Sequence, residues 1–281
     1  MKIGRYKISI INSGLFRLDG GAMFGIIPKT LWEKSLPTDK ENRVQLVTRN
    51  LLLQNGSKNI LIDTGMGTKW DSKSVQIYEI DQASTSIELE LMKNGLKPDD
   101  ITDVILTHLH FDHTGGSTKS DNGKIVPVFP NARHYVQKKN FEWAINPSER
   151  DRGSYLKDSF EPLAKEGLLN FVDGNTQFDN EIELIPVSGH TFSQQLVKIS
   201  DSSGTLFFCG DLIPTTSHIR LPYIMGYDLQ PLVTLQEKKS ILSRAVDENW
   251  KLLFEHDANT VAASVRYTDK GFIADEKYAS F

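Results

Sequence analysis

His108, His110, Asp112 and His113 fall within six positions of the stretch THLHFDHTGG (107–116), although the chain has only seven histidines. Imidazoles and carboxylates are the donors that bind zinc and similar divalent metals, at about 2.0–2.2 Å. Residues two apart in extended backbone point to one side, so the His108 and His110 rings can approach one ion. Asp112 and His113 follow where the chain should turn, which lets them point elsewhere. Thr114-Gly115-Gly116 is expected to ease that turn, since glycine tolerates conformations that other residues avoid. Donors this dense exceed what one tetrahedral ion takes from a single loop, which favours two metals over one.

Three further positions share the local form of an apolar strand, or its turn, ending in a ligand type. His190 lies in VSGHTFSQQ, Asp211 in LFFCGDL and His256 in KLLFEHDA. Strand ends on one sheet edge are rigid platforms for a site. Five of the seven histidines thus belong to one pattern. Of the other two, His134 sits inside a strand-like run and reads as structural. His218, seven residues beyond Asp211, reads as a pocket residue or as a loop residue. Cys209 reads as core, and nothing marks a serine or cysteine nucleophile.

The elements that must carry these residues follow from periodicity and turn signals. YKISII alternates as a strand, Asn12-Ser13-Gly14 reads as a turn, and LFRL as a second strand. Segments 44–53 and 59–62 flank Asn55-Gly56, a strong hairpin signal. Thr85 and Glu88 have capping-box spacing ahead of a helix that Gly95 ends. The apolar run 103–107 reads as the buried strand that delivers His108. Further strands are expected at 133–137, 182–187, 195–199, 205–209 and 251–254, and helices at 138–146, 155–166 and 232–247. Hairpins mix with strand-helix-strand units, so the fold class is α/β with mixed sheets covered by helices. Residues 1–281 read as a single domain of two sheet-plus-helix halves.

Composition narrows the partners. A formal net charge of −4 without any Lys/Arg run offers no basic face to nucleic acid or anionic lipid. No run of about 18 apolar residues is present, so no membrane span is expected. A single cysteine rules out an internal disulfide framework. The start, MKIGRYKISI, carries lysine and arginine inside its first apolar stretch and lacks a signal-peptide core. The expected location is the cytoplasm.

Taken together, His108-x-His110-x-Asp112-His113 followed by His190, Asp211 and His256 resembles the metallo-β-lactamase superfamily, and ILIDTG (60–65) is similar to its strand-turn ahead of the metal motif. The resemblance implies a four-layer αββα sandwich with two metals, Zn²⁺ by expectation. His108, His110 and His190 would hold the first ion, Asp112, His113 and His256 the second, and Asp211 would bridge. It implies hydrolysis by a metal-bridging hydroxide, with Asp112 as the catalytic proton carrier. Histidine at 110, where the di-iron oxygen-reducing members have glutamate, favours hydrolysis over redox chemistry. Asp63 is the candidate support for a ligand histidine, with turn capping as its other reading.

The stretch LDGGAMFGIIPKTLWEK (18–34), with FPNA, GDLIPT, MGYD and FEHD, resembles the branch holding N-acyl homoserine lactone lactonases and methyl parathion hydrolases. That implies lactone opening, with phosphotriester or aryl ester hydrolysis as the alternative. The substrate would be a small molecule with an apolar portion, for which Met23, Phe24 and Ile26 are candidate contacts. Leu212, Ile213 and Pro214 stand where many such lactonases have a tyrosine. Tyr223, Tyr227 and His218 are the candidates to replace it. No helper cysteine or lysine for a β-lactamase is evident, and no basic cluster for a glutathione thioesterase. A non-enzymatic metal-binding protein is the remaining class, and seven intact ligand positions argue against it. The apolar N-terminal segment and the resemblance together point to a homodimer.

Overall fold

The computed structural model describes residues 1–81 and 85–280. It divides into two compact units, Met1–Leu15 with Thr48–Gly174, and Phe16–Val47 with Asn175 onward. Two seven-stranded sheets form the framework, with helices between their strands.

The first sheet runs, in spatial order, Lys2–Ile3, Tyr6–Asp19, Arg43–Gln54, Asn59–Ile62, Asp103–Ile105, Arg133–Gln137 and Leu169–Val172. The last four are parallel neighbours. Parallel strands need crossovers, and the helices Ile87–Lys93 and Lys138–Ile145 lie in two of them. Burial explains why Asp103–Ile105 reads as an apolar run and not as an alternation. Val104 packs with Leu61 and Val136 from the neighbouring strands and with Ile87, Leu91 and Ala144 from the helices.

The second sheet runs Thr176–Gln177, Ile182–Val187, Gln194–Asp201, Gly204–Phe208, Lys251–Leu253, Ala262–Thr268 and Gly271–Tyr278. Its neighbours are antiparallel except Gly204–Phe208 and Lys251–Leu253. The helix Pro231–Asp247 makes that one parallel crossover, with Pro231 in its first turn where a missing N–H costs nothing. Its Ile241, Leu242 and Ala245 pack with Phe207, Trp250 and Leu252. Trp250 stacks on Phe207 at 4.9 Å.

The expected mixed sheets with helices are present, and most strands lie within a residue or two of their expected places. Three local expectations fail, and one hairpin was not expected at all. Asn12-Ser13-Gly14 is not a turn, because the strand Tyr6–Asp19 runs through it. Ser13 is buried there, and its hydroxyl meets Thr48 Oγ1 at 2.9 Å, so the strand absorbs a polar residue that a turn would expose. The cap of the helix Ile87–Lys93 is Ser86, whose hydroxyl accepts from Leu89 N, while Thr85 bonds back to the Asn12 carbonyl. The helix expected at 155–166 is a 3-10 turn, Lys157–Ser159, and a short helix, Glu161–Lys165; Pro162 permits only a start there. The C-terminal hairpin Ala262–Thr268 and Gly271–Tyr278 lies beyond the last expected strand. Its charges, Arg266, Asp275, Glu276 and Lys277, occupy an exposed edge and mask the pattern. No helix among the described residues is long and apolar enough to cross a membrane.

Candidate functional site

In the first unit, the strand Asp103–Ile105 ends three residues before His108, and a single turn of helix, Phe111–Thr114, follows His110. His108, His110, Asp112 and His113 are all buried. The His108 ring lies 4.4 Å from that of His110 and 4.0 Å from that of His113, centroid to centroid. Thr114-Gly115-Gly116 works differently from expectation. Gly115 has ordinary right-handed helical geometry, so conformational freedom is not its purpose. A Cβ on Gly115 would sit 2.2 Å from Met66 O, and one on Gly116 2.1 Å from Thr64 O. The glycines let the 107–116 loop press against the 64–66 backbone.

Asp63 is fully buried and stands at the centre of this contact. Its Oδ1 accepts from Thr107 N at 2.7 Å and its Oδ2 from Thr107 Oγ1 at 2.6 Å. His113 Nδ1 donates to the same Oδ2 at 3.1 Å. Because the Thr107 hydroxyl hydrogen goes to Asp63, its oxygen accepts from His108 Nδ1, 3.0 Å away. Both rings therefore carry their proton on Nδ1 and their lone pair on Nε2, the state that suits a metal ligand. Lys69 Nζ donates to Gly115 O at 2.6 Å and Thr118 O at 2.7 Å, holding the chain beyond the motif, and burial lowers its pKa to about 8. Trp70 and Tyr78 each lie 5.3 Å from the Phe111 ring, beside Asp112 in sequence. Burial, and then the Asp112 charge, push the Tyr78 phenol above its usual range.

In the second unit, His190 follows the strand Ile182–Val187, Asp211 follows Gly204–Phe208, and His256 follows Lys251–Leu253. Asp211 Oδ2 lies 3.1 Å from His190 Nε2, and its Oδ1 lies 3.0 Å from His256 Nε2. His190 Nδ1 donates to Asp228 Oδ1 at 2.9 Å, and Asp228 Oδ2 accepts from Thr234 Oγ1 at 2.8 Å. His256 Nδ1 donates to Val47 O at 3.0 Å. The turn before His190 is fixed by Glu237, which accepts from Ser188 N at 2.7 Å and Gly189 N at 3.0 Å.

These contacts test whether the residues fit a metal. With each Nδ1 donating to Asp228 or to a carbonyl, each Nε2 presents a lone pair toward an Asp211 oxygen. Two acceptors about 3 Å apart repel unless a proton or a cation lies between them. Protonating both rings would bury two imidazolium ions, whereas a divalent cation suits neutral imidazoles and a carboxylate together. The donor set fits a metal, and Asp211 offers one oxygen toward each histidine.

The expected substrate contacts are placed unevenly. Met23 and Phe24 are buried, Phe24 between Trp32 at 4.7 Å and His218 at 4.9 Å, whereas Ile26 is 93% exposed. His218 Nε2 donates to Met23 O at 2.9 Å, and its Nδ1 meets Thr215 Oγ1 at 2.8 Å. Burial lowers its pKa to about 4, so it is a neutral tie between loops. Tyr223 is nearly buried, lies edge-on to Phe24 at 6.0 Å, and lines a cavity described below; Tyr227 is half-buried. Leu212 and Ile213 are buried, and Pro214 O accepts from His256 N, so the stretch after Asp211 packs inward. His134 is buried with its pKa lowered to about 4, and burial pushes the Cys209 thiol up. Sequence reasoning gave no role to Asp228, Thr107, Lys69 or the Val47 carbonyl. Asp228 left a trace as the acid of MGYD, and Thr107 as the first residue of THLHFDHTGG.

Comparison with known proteins agrees with this chemistry. The family model described as Metallo-beta-lactamase superfamily matches residues 46–258. An N-acyl homoserine lactonase, AttM, of Agrobacterium fabrum strain C58 is 27% identical over 174 residues, 60% of this chain and 62% of that protein. The chain thus spans about three fifths of the length of the curated relatives it matches. A probable metal-dependent hydrolase from Staphylococcus aureus, known from a crystal structure, is 30% identical with a TM-score of 0.87, over 99% of this chain and 100% of that one. AidC, a dizinc quorum-quenching lactonase solved with a product, shares the fold at 22% identity and a TM-score of 0.81, over 99% and 96%.

Proposed function

Because this chain belongs to the metallo-beta-lactamase superfamily, we propose that it is a dinuclear metal hydrolase that opens the ring of N-acyl homoserine lactones. In this reading His108, His110 and His190 hold one divalent ion, Asp112, His113 and His256 the other, and Asp211 both, with zinc as the ion assigned. The observation that carries it is the Asp211 carboxylate, whose two oxygens each face the lone-pair nitrogen of a different histidine. Bound there, divalent ions would supply Lewis acidity and lower the pKa of a water.

The chain's own residues do the rest. Asp63 and Asp228 fix the tautomers of His113 and His190, and Val47 O that of His256. Asp112, buried in the first turn of the helix Phe111–Thr114, takes the proton of the attacking water and passes it to the departing alkoxide. A lactone is favoured over other esters by relatives named as N-acyl homoserine lactonases. The test compares rates for an acyl homoserine lactone, an aryl phosphotriester and a β-lactam on metal-loaded protein. The lactone should turn over fastest. Phosphotriester turnover without lactone turnover would remove the lactone assignment and leave the metal hydrolase standing.

A further inference from the structure

A cavity of about 500 Å³ opens in the second unit among residues that the proposed reaction does not use. None of the seven ligand residues lines it. Lys34, Arg220 and Lys277 stand on its wall, and all three are exposed. Among the described residues none of the three forms an ion pair. The one acid on the wall, Asp257, is already satisfied from within. Its Oδ2 accepts from Thr216 N at 2.9 Å and Thr216 Oγ1 at 2.6 Å, and its Oδ1 from Asn259 N at 2.9 Å and Thr260 N at 2.8 Å. Three cations against one internally bonded carboxylate leave an excess of positive charge facing the space.

The frame around Arg220 is built rather than loose. Lys238, buried beneath it, donates from one ammonium to Arg220 O at 2.9 Å, Leu221 O at 3.4 Å and Tyr223 O at 2.6 Å. The Arg220 guanidinium lies over the Tyr223 ring, 5.7 Å from its centroid. Ser217 donates to Ser35 Oγ at 3.0 Å across the cavity wall, joining the two segments that carry Arg220 and Lys34. Leu31, Ile219 and Ile273 supply apolar wall between the charges. The volume is that of a small-molecule site, and such sites combine apolar walls with a few fixed polar groups.

We propose that this cavity binds a small organic anion, a carboxylate carried on an apolar tail. Charge selects the anion, and the apolar wall rewards the tail. If the lactone reading above is right, on which this part rests, the substrate is neutral and its ring-opened product is a carboxylate with an acyl tail. The cavity then distinguishes product from substrate and gives the product a second place to bind, lined by none of the seven ligand residues.

The probe is octanoate, titrated by calorimetry into the metal-loaded protein at about 0.15 M salt, where loose surface attraction is screened. Octanoate should bind saturably, and octanol should not. The triple variant Lys34→Gln, Arg220→Gln, Lys277→Gln keeps three exposed positions polar and should fold, which its melting temperature checks. It should weaken octanoate by roughly tenfold or more, the scale of losing charged hydrogen bonds. It should leave initial-rate lactone turnover unchanged. Equal octanoate affinity in the variant would place the anion elsewhere and overturn the proposal, as would octanol binding as well as octanoate. Octanoate binding that is lost in the variant, in a protein without lactone turnover, upholds the cavity and removes only its link to product.

Discussion

Asp228 is the place where the tautomer argument is most exposed to measurement. The substitution Asp228→Ala removes the acceptor for His190 Nδ1, now 2.9 Å away, and the partner of the Thr234 hydroxyl at 2.8 Å. His190 would then be free to carry its proton on Nε2, the atom that faces Asp211. Losing a carboxylate that orients a ligand histidine costs about 10–100-fold in metal affinity, or about 1.4–2.8 kcal/mol. Two buried groups also lose a partner, at about 1–3 kcal/mol of stability each. Asp228→Asn separates these effects, because its carbonyl can still accept from Nδ1 while the charge is gone; it should fall near the tenfold end. Metal affinity is read by competition with a chromophoric chelator, and stability by urea unfolding of the same samples. A folded Asp228→Ala protein with undiminished metal affinity would refute the reasoning, because His190 would then be oriented without Asp228.

Other outcomes follow from the same structure. Metal analysis should find close to two equivalents of zinc or a similar ion, and one tightly enclosed ion would contradict the two-metal reading. Asp112→Asn should lower kcat by about 10²–10⁴ with the fold intact, and unchanged kcat would remove its proton-carrying role. His134 and His218 have folded pKa values lowered to about 4, below the unfolded 6.5. Between these values the unfolded chain holds protons that the folded one lacks, so their contribution is complete above pH 6.5 and is lost as pH falls toward 4. Each ring contributes up to about 1.4 kcal/mol per pH unit there. His134→Leu should therefore flatten the urea-derived stability between pH 5 and 7, and an unchanged slope would show that His134 does not titrate as described. Lys238→Met leaves the Arg220, Leu221 and Tyr223 carbonyls without their buried donor and should cost roughly 3 kcal/mol or more in urea unfolding.

What the sequence disclosed, and what it withheld, divides along a physical line. The residues proposed as ligands were legible because their chemistry is in their side chains and their strands end where the apolar runs end. Asp63 was half legible: its place in DTG marked it, but its hold on both Thr107 and His113 depends on a neighbouring strand. The Val47 carbonyl that orients His256 has no side-chain signature at all. Asp228 reaches His190 only because Gly189 lets the helix Pro231–Asp247 come close; a Cβ there would meet Thr234 N at 2.4 Å. The Gly115-Gly116 pair was noticed for flexibility and serves close contact instead. Turn signals failed at Asn12-Ser13-Gly14 because a neighbouring strand supplied the partners that a turn would have found in water.

The tie between His256 and Val47 also sets a clock. The two residues are 209 positions apart, and His218 and Met23 are 195 apart. The first unit is fully synthesised once residue 174 has been made, whereas residues 16–47 belong to a unit that needs the last third of the chain. At roughly 5–20 residues per second, Val47 waits roughly 10–40 s on the ribosome for its partner. Throughout that interval Phe16, Met23, Phe24 and Trp32, all buried in the finished protein, lack the part of their unit that begins at Asn175. Folding in the cell is therefore most vulnerable at residues 16–47, and that apolar stretch is what a holding chaperone would cover in the meantime.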